Sequence, residues 1–311
     1  MEFGAHLPLI PMPSGRSAPW TLRDYAATAA GLGYRWLTAN DHLVFRRPWL
    51  DGLTALASVI DASGDMGLAT TVCLPSVRGP VPTAKAFTAL DLLSGGRFAG
   101  GVGPGSGERD LVVAGADPRG RFDRFDEAVR ALRVLLRRDP GPFEGRAFST
   151  AGVDLEPPPR PGRPPIWMAG WGRPRGLRRA AELGDGWLAS AYNTTPAGFA
   201  ASWSAVRAHV AARGGDPDRF ANGVATAWTY VTEDRGDEER ILRDVLAPLL
   251  GRPAEDLAAL ALPIGPAERC AERVAAFRDA GAQRLLIWPL GDELAQLARF
   301  MERVAPHVAA G

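Results

Sequence analysis

The chain has 311 residues, enough for one large core, and its 46 % apolar and 23 % charged content is that of an ordinary soluble globular protein. A formal net charge of +1 gives it no pull toward nucleic acid or an anionic membrane surface. Cys73 and Cys270 are too few for a disulfide framework and lack metal-ligand spacing, and MEFGAHLPLI has no basic segment followed by an apolar core, so a cytoplasmic chain without signal or spanning helix is expected.

In chain order, Glu2 to Leu7 is a first strand running into a proline-rich loop, Pro8 to Pro19. Thr21 caps a helix through Leu32, with Leu22, Tyr25, Ala26 and Ala29 on one face and Gly31 and Gly33 ending it. Tyr34 to Ala39 is the second strand, which places Asn40, Asp41 and His42 just past a strand's carboxyl end; Leu50 to Ser63 is the next helix. Gly67 to Leu74 is a buried strand closed by Pro75, and Pro80 to Leu93 is a helix stopped by Gly95 and Gly96. Arg97 to Val102 is a strand entering the glycine-rich loop Gly103 to Gly107. This βαβ unit requires parallel strands with their loops gathered at the carboxyl ends.

Beyond it, Arg121 to Arg138 is an amphipathic helix, and the proline-rich stretch Phe143 to Arg163 holds a short hairpin. Pro165–Ala169 strand, Arg173–Leu183 helix, Asp185–Ser190 strand, Pro196–Arg213 helix and the long Asn222–Thr232 strand continue the alternation. Gly236 to Leu262 is helical with interruptions at Pro248 and Pro253; Pro266–Ala280, Gln283–Trp288 and Asp292–Val308 close as helix, strand, helix. Eight strands alternating with helices define a parallel α/β fold in one domain, 1–311. A doubly wound sheet is disfavoured, because no GxGxxG follows the first strand.

Four segments carry a resemblance: GLGYRWLTANDHL (Gly31–Leu43), LPSVRGPVPTAKAFTALDLLSGGRFAGGVGPG (Leu74–Gly105), RFDRFDEAVRALRVLL (Arg121–Leu136) and PPIWMAGWGRPRGLRRAAELGDGWL (Pro164–Leu188), with a weaker echo in Ile264–Trp288. In this order they resemble the bacterial-luciferase-like family of flavin- and deazaflavin (F420)-dependent oxidoreductases. The resemblance implies a (β/α)8 TIM barrel with insertions, whose site is built from loops at the carboxyl ends of the strands. That rule nominates His6, Asp41, His42, Thr71 to Leu74, Gly103 to Glu108, Gly170 to Arg173, Asn193 and Trp288.

The resemblance also implies roles. An Asp-His pair at the position of Asp41 and His42 lies beside the reactive ring face, where the imidazole steadies charge or passes a proton and a neighbouring carboxylate tunes it. Thr71 and Val72 occupy the place of a non-proline cis peptide that backs the ring. Gly103 and Gly105 allow close backbone approach, and Glu108 stands where some relatives put a proton donor. Gly170, Trp171, Gly172 and Arg173, ahead of a helix near Pro174, would bind the cofactor phosphate with backbone N–H groups. Trp20, Trp36, Trp49, Trp171, Trp187 and Trp288 divide between core and a pocket for a planar or apolar substrate.

No HExxH, cysteine pair, P-loop or nucleophile elbow is present. The expected activity is F420-dependent hydride transfer to or from a small organic substrate. The alternative is an FMNH2-dependent monooxygenase fed by a partner flavin reductase; a barrel that serves only as a binding protein is a third reading. Lys85 is the only lysine, and this Arg-, Ala-, Gly- and Pro-rich composition fits the GC-rich coding of actinobacteria, where F420 users are frequent. The resemblance also implies a flavin or F420 reductase that supplies reduced cofactor, and a homodimer.

Overall fold

The computed structural model describes residues 1–11, 22–105 and 107–309. Most of the Pro8–Pro19 loop, Trp20, the Thr21 cap and Ser106 lie outside these. Among the described residues eight parallel strands close into a barrel: β1 (Glu2–His6), β2 (Trp36–Ala39), β3 (Gly67–Thr70), β4 (Phe98–Val102), β5 (Ile166–Ala169), β6 (Gly186–Ser190), β7 (Ala221–Val231) and β9 (Arg284–Pro289). β6 pairs with β7, β7 with β9, and β9 returns to β1 with Glu2 opposite Arg284, so the ring has no edge. The short β8 (Ile264–Gly265) adds to β7 outside the ring.

The helices follow the expected alternation: α1 (Leu22–Gly31), α2 (Gly52–Ser58), α3 (Pro75–Arg78), α4 (Pro80–Leu93), α5 (Glu108–Val113), α6 (Arg121–Leu135), α7 (Pro174–Leu183) and α8 (Pro196–Ala212). Gly95 and Gly96 have φ of 65° and 92°, and they stop α4 as a left-handed turn requires. The expected hairpin stands at Phe143–Thr150, where Gly145 N–H donates to the Phe148 carbonyl and Thr150 N–H to that of Phe143. Three of these elements had no counterpart in the sequence reading: β8; α5, which follows the glycine loop directly; and α3, which occupies the turn after β3.

Pro248 does not interrupt its helix. α9 (Arg235–Arg240) widens into a π segment over Ile241–Leu246 and continues as α10 (Ala247–Leu250). Proline has no N–H to return to the ladder, and the wider turn ahead of it absorbs that loss. The chain breaks instead at Gly251, φ 63°, before α11 (Ala254–Ala258). α12 (Ala267–Asp279), α13 (Glu293–Arg303) and α14 (Ala305–Ala309) complete the shell. No helix among the described residues is long and apolar enough to cross a membrane.

Two layers of core result. The larger lies between strands and helices and includes Phe87, Phe98, Phe125, Phe199 and Phe300, all fully buried. The lumen is filled by Trp167, Leu188 and Leu286 among Ala69, Ala99 and Ala225, with Trp36 packed against them. Large residues face small ones across the ring. A side chain at Gly67 would stand 2.6 Å from the Trp36 ring, so glycine there is what admits the indole. At the amino-terminal end Arg284 lies over Trp36 and Trp167, 5.2 Å from each ring centroid, with Nε 3.0 Å from Glu2. This plugs the bottom of the barrel and leaves the carboxyl end as its mouth.

Candidate active site

His42 follows β2 at the mouth, with a side chain 13 % exposed. Its Nδ1 lies 2.8 Å from Oδ2 of Asp110, in the first turns of α5. Oδ1 of the same carboxylate accepts the N–H groups of Leu43 at 2.8 Å and Val44 at 3.0 Å. Burial pushes the Asp110 carboxyl up, but hydrogen bonds from His42 and those two amides outweigh it and hold it below the usual carboxylate range.

The neighbouring carboxylate expected to tune His42 is committed elsewhere. Asp41, 4 % exposed, accepts from Arg78 Nε at 2.6 Å and NH2 at 2.7 Å and from the Leu74 N–H at 3.3 Å. Arg78 also pairs with Asp51, the N-cap of α2. Successive side chains along an extended segment point to opposite sides, so Asp41 turns toward α3 while His42 turns toward α5. Asp41 therefore braces the mouth, and Asp110 is the carboxylate that touches the imidazole.

An aromatic wall stands behind His42. Its ring is 4.8 Å from Phe45 and 4.5 Å from Trp49; Trp49 meets Trp288 edge-on at 5.8 Å. Trp288 is stacked by His6 at 3.6 Å and by Trp228 at 4.2 Å. Trp228 reaches this position because β7 carries a bulge between Val224 and Ala227, with Thr226 at φ 55°. Burial holds the His6 imidazole down at about 3, against its hydrogen bond to the Leu7 carbonyl and the nearby Asn40 amide.

Several buried polar atoms at these strand ends have no hydrogen-bond partner among the described residues: Thr38 Oγ1, Asn40 Oδ1, Thr71 Oγ1 and the indole nitrogens of Trp49 and Trp228. Such atoms are uncommon inside a folded protein, and these gather at the carboxyl end of the barrel. The Thr71–Val72 peptide is cis. Val72 lies against Gly103, where a Cβ would stand 2.6 Å from Val72 Cγ2. Gly105 has φ 80° and passes Leu74. Glu108 is exposed at the first turn of α5.

On the far side of the mouth, Gly170, Trp171, Gly172 and Arg173 link β5 to α7. Gly172 has φ 77°, and Arg173 is the exposed N-cap residue. Trp171 is 50 % exposed. Beside this loop is a cavity of about 440 Å³ lined by Trp171, Gly172, Asn193, Thr195, Ser202 and Arg252. Of the basic residues along α7, Arg179 is paired with Asp126 and Arg178 with Glu182.

The sequence-nominated residues thus gather at the carboxyl ends of β1 to β6 and β9, Asn193 being the one from β6. Trp36 and Trp187 do not line this mouth: the first plugs the opposite end, and the second is buried under Phe199 and Trp203. Asp110, Arg78, Phe45 and Trp228 are the residues that sequence reasoning missed. A charged residue one step before apolar Leu111, in the loop of a barrel strand, was the available signal for Asp110.

Comparison with known proteins shows the family and the fold. The chain is 30 % identical to an F420-dependent hydroxymycolic acid dehydrogenase of Mycobacterium tuberculosis, over 91 % of its own length and 83 % of that protein. It is 30 % identical to an F420-dependent glucose-6-phosphate dehydrogenase of Amycolatopsis mediterranei, but over only 55 % of this chain and 53 % of the other. An F420-dependent secondary alcohol dehydrogenase, solved with an F420-acetone adduct, superimposes with a TM-score of 0.83 over 99 % of both chains at 20 % identity, a likeness of fold. The sequence profile of the luciferase-like monooxygenases matches residues 1–252, and to that family the chain belongs.

Proposed function

We propose that this protein is an F420-dependent oxidoreductase that interconverts a small organic alcohol and its carbonyl compound. The observation that carries the reading is the meeting of His42 with unpartnered buried polar atoms at one barrel mouth. The F420 dependence of the relative matched over 91 % of the chain supports the choice of cofactor.

The residues at the mouth fit a deazaflavin. Thr38, Asn40 and Thr71 offer hydroxyl and amide groups for its polar ring edge, and Val72 beside Gly103 offers a flat apolar backing. Gly170 to Arg173 and the adjoining cavity, with the Arg252 guanidinium, would take its phosphate and acidic tail. When bound, F420 supplies or receives a hydride at C5.

The chain's own residues do the rest. Phe45 and Trp49 exclude water and offer a wall to the apolar part of the substrate, and the buried Trp228 and Trp288 back that wall. The indole N–H groups of Trp49 and Trp228, without a partner among the described residues, are donors for its oxygen. His42 takes the hydroxyl proton during oxidation and returns it during reduction. Asp41 and Arg78 keep the β2 and β3 ends in register. Glu108 stands at the rim, where burial under a bound substrate is what would make it a proton donor.

The test is to mix purified protein, oxidised F420 and a panel of secondary alcohols and follow loss of the deazaflavin absorbance. Turnover with at least one alcohol supports the proposal. The FMNH2-dependent reading predicts oxygen uptake with reduced FMN and no response to F420.

A further inference from the structure

Asp110 divides its two oxygens between different tasks. Oδ1 faces the backbone N–H groups of Leu43 and Val44, and among the described residues the hydrogen-bond partner of Oδ2 is His42 Nδ1 at 2.8 Å. The carboxylate is 1 % exposed, so water does not compete for either oxygen. An ionised carboxylate accepts and cannot donate, and Nδ1 must therefore carry a proton. In a neutral imidazole Nε2 is then the bare nitrogen.

We propose that Asp110 is the positioning residue that locks His42 in the Nδ1–H tautomer and so makes Nε2 the proton acceptor of the reaction. Its chemical consequence rests on the oxidoreductase reading above; the tautomer itself does not. In the oxidation direction the substrate O–H bond breaks toward Nε2 and the carbinol C–H bond gives its hydride to oxidised F420. The oxygen's electron pair forms the carbonyl, and the proton on Nε2 passes to water. The imidazolium formed in this step keeps its Nδ1–H on Asp110, which stabilises the charge.

Among the described residues no other charged group is bonded to the ring. Asp41 and Asp51, from the β2 end and α2, are held by Arg78 of α3. Glu108 and Arg109, on the same helix as Asp110, are exposed. Phe45, Trp49 and Trp288 are uncharged, and His6 is separated from His42 by Trp49 and Trp288.

The two tasks make Asp110→Asn a sharp test. Two backbone N–H groups already face the Oδ1 position, so the amide oxygen must stay there and the NH2 must replace Oδ2. An NH2 donates, which forces Nδ1 to accept and moves the proton to Nε2. Loop attachment survives while the tautomer reverses. The same exchange in a Ser-His-Asp triad lowers turnover by ~10⁴ through the wrong tautomer.

The experiment is ¹⁵N imidazole NMR of the cofactor-free protein, with His42 assigned by its loss in His42→Gln, alongside F420 turnover. Expected are a protonated Nδ1 and a bare Nε2 in the wild type, the reverse in Asp110→Asn, and a fall in kcat of ~10²–10⁴-fold with little change in KM. A wild-type spectrum with the proton on Nε2 overturns the proposal even if the variant does not fold. An unchanged tautomer in a folded Asp110→Asn also overturns it. The expected spectra without wild-type F420 turnover support the lock and sink the cofactor assignment instead.

Discussion

Arg78 grips Asp41 side-on, with Nε at 2.6 Å from Oδ2 and NH2 at 2.7 Å from Oδ1, and in doing so ties the end of β2 to the first turn after β3. The pair is mostly out of water, Asp41 at 2 % and Arg78 at 18 % side-chain exposure. Removing one partner leaves the other charge uncompensated, which costs about 3–5 kcal/mol when the pair is buried. Arg78→Met is expected to lower unfolding free energy by about 3 kcal/mol, since Asp51 also loses its partner but is more exposed. Denaturant unfolding measures it; a loss under about 1 kcal/mol would show that the bridge is incidental.

His42→Gln should separate turnover from stability. The Gln amide can still donate to the buried Asp110 carboxylate, so unfolding should change little while kcat with F420 falls ~10²–10⁴-fold. Steady-state kinetics beside thermal unfolding decides it; an unchanged kcat removes His42 from the proton transfer.

The opposite end of the barrel should behave in the opposite way. Arg284 lies over the paired Trp36 and Trp167 rings, and burial pushes its guanidinium down while Glu2 pushes it back up. Arg284→Met is expected to cost about 2–4 kcal/mol through lost cation–π and ionic contacts, with kcat intact. A variant of wild-type stability but impaired turnover would contradict the division of the barrel into plug and mouth.

The fold was legible because the strands are short apolar runs punctuated by glycine and proline, and the long helices carry a 3.6-residue period. α5 was not, since six residues between a glycine loop and Gly115 give no period to detect. His42 was legible by its place just past β2, but its partner was not. Asp110 is 68 residues away and Arg78 is 37 from Asp41, and pairing at such separations leaves no local trace. The adjacency of Asp41 and His42 invited the wrong pairing, which the alternation of side-chain directions forbids.

Acid stability offers a further check. His6 has a folded-state value of about 3 against an ordinary 6.5, because burial disfavours the imidazolium. Between those limits the unfolded chain binds the proton and the native state does not, so stability falls as pH drops. The slope is roughly 1.4 kcal/mol per pH unit from this group. Asp110 has the depressed value of a bonded carboxylate, so its contribution stands above about 3.9 and is lost only as pH falls below that. His6→Phe, which keeps a ring on Trp288, should flatten the profile between pH 6.5 and 3 and leave the lower limb in place. An identical slope in the variant would mean that His6 titrates normally.

The central claim is tested most directly by a crystal structure of the protein with oxidised F420. The account predicts the deazaflavin ring against Val72 and Gly103, within contact distance of the His42 imidazole, with its phosphate at Gly170 to Arg173. A ring bound anywhere else, or crystals that take up FMN and refuse F420, would contradict it.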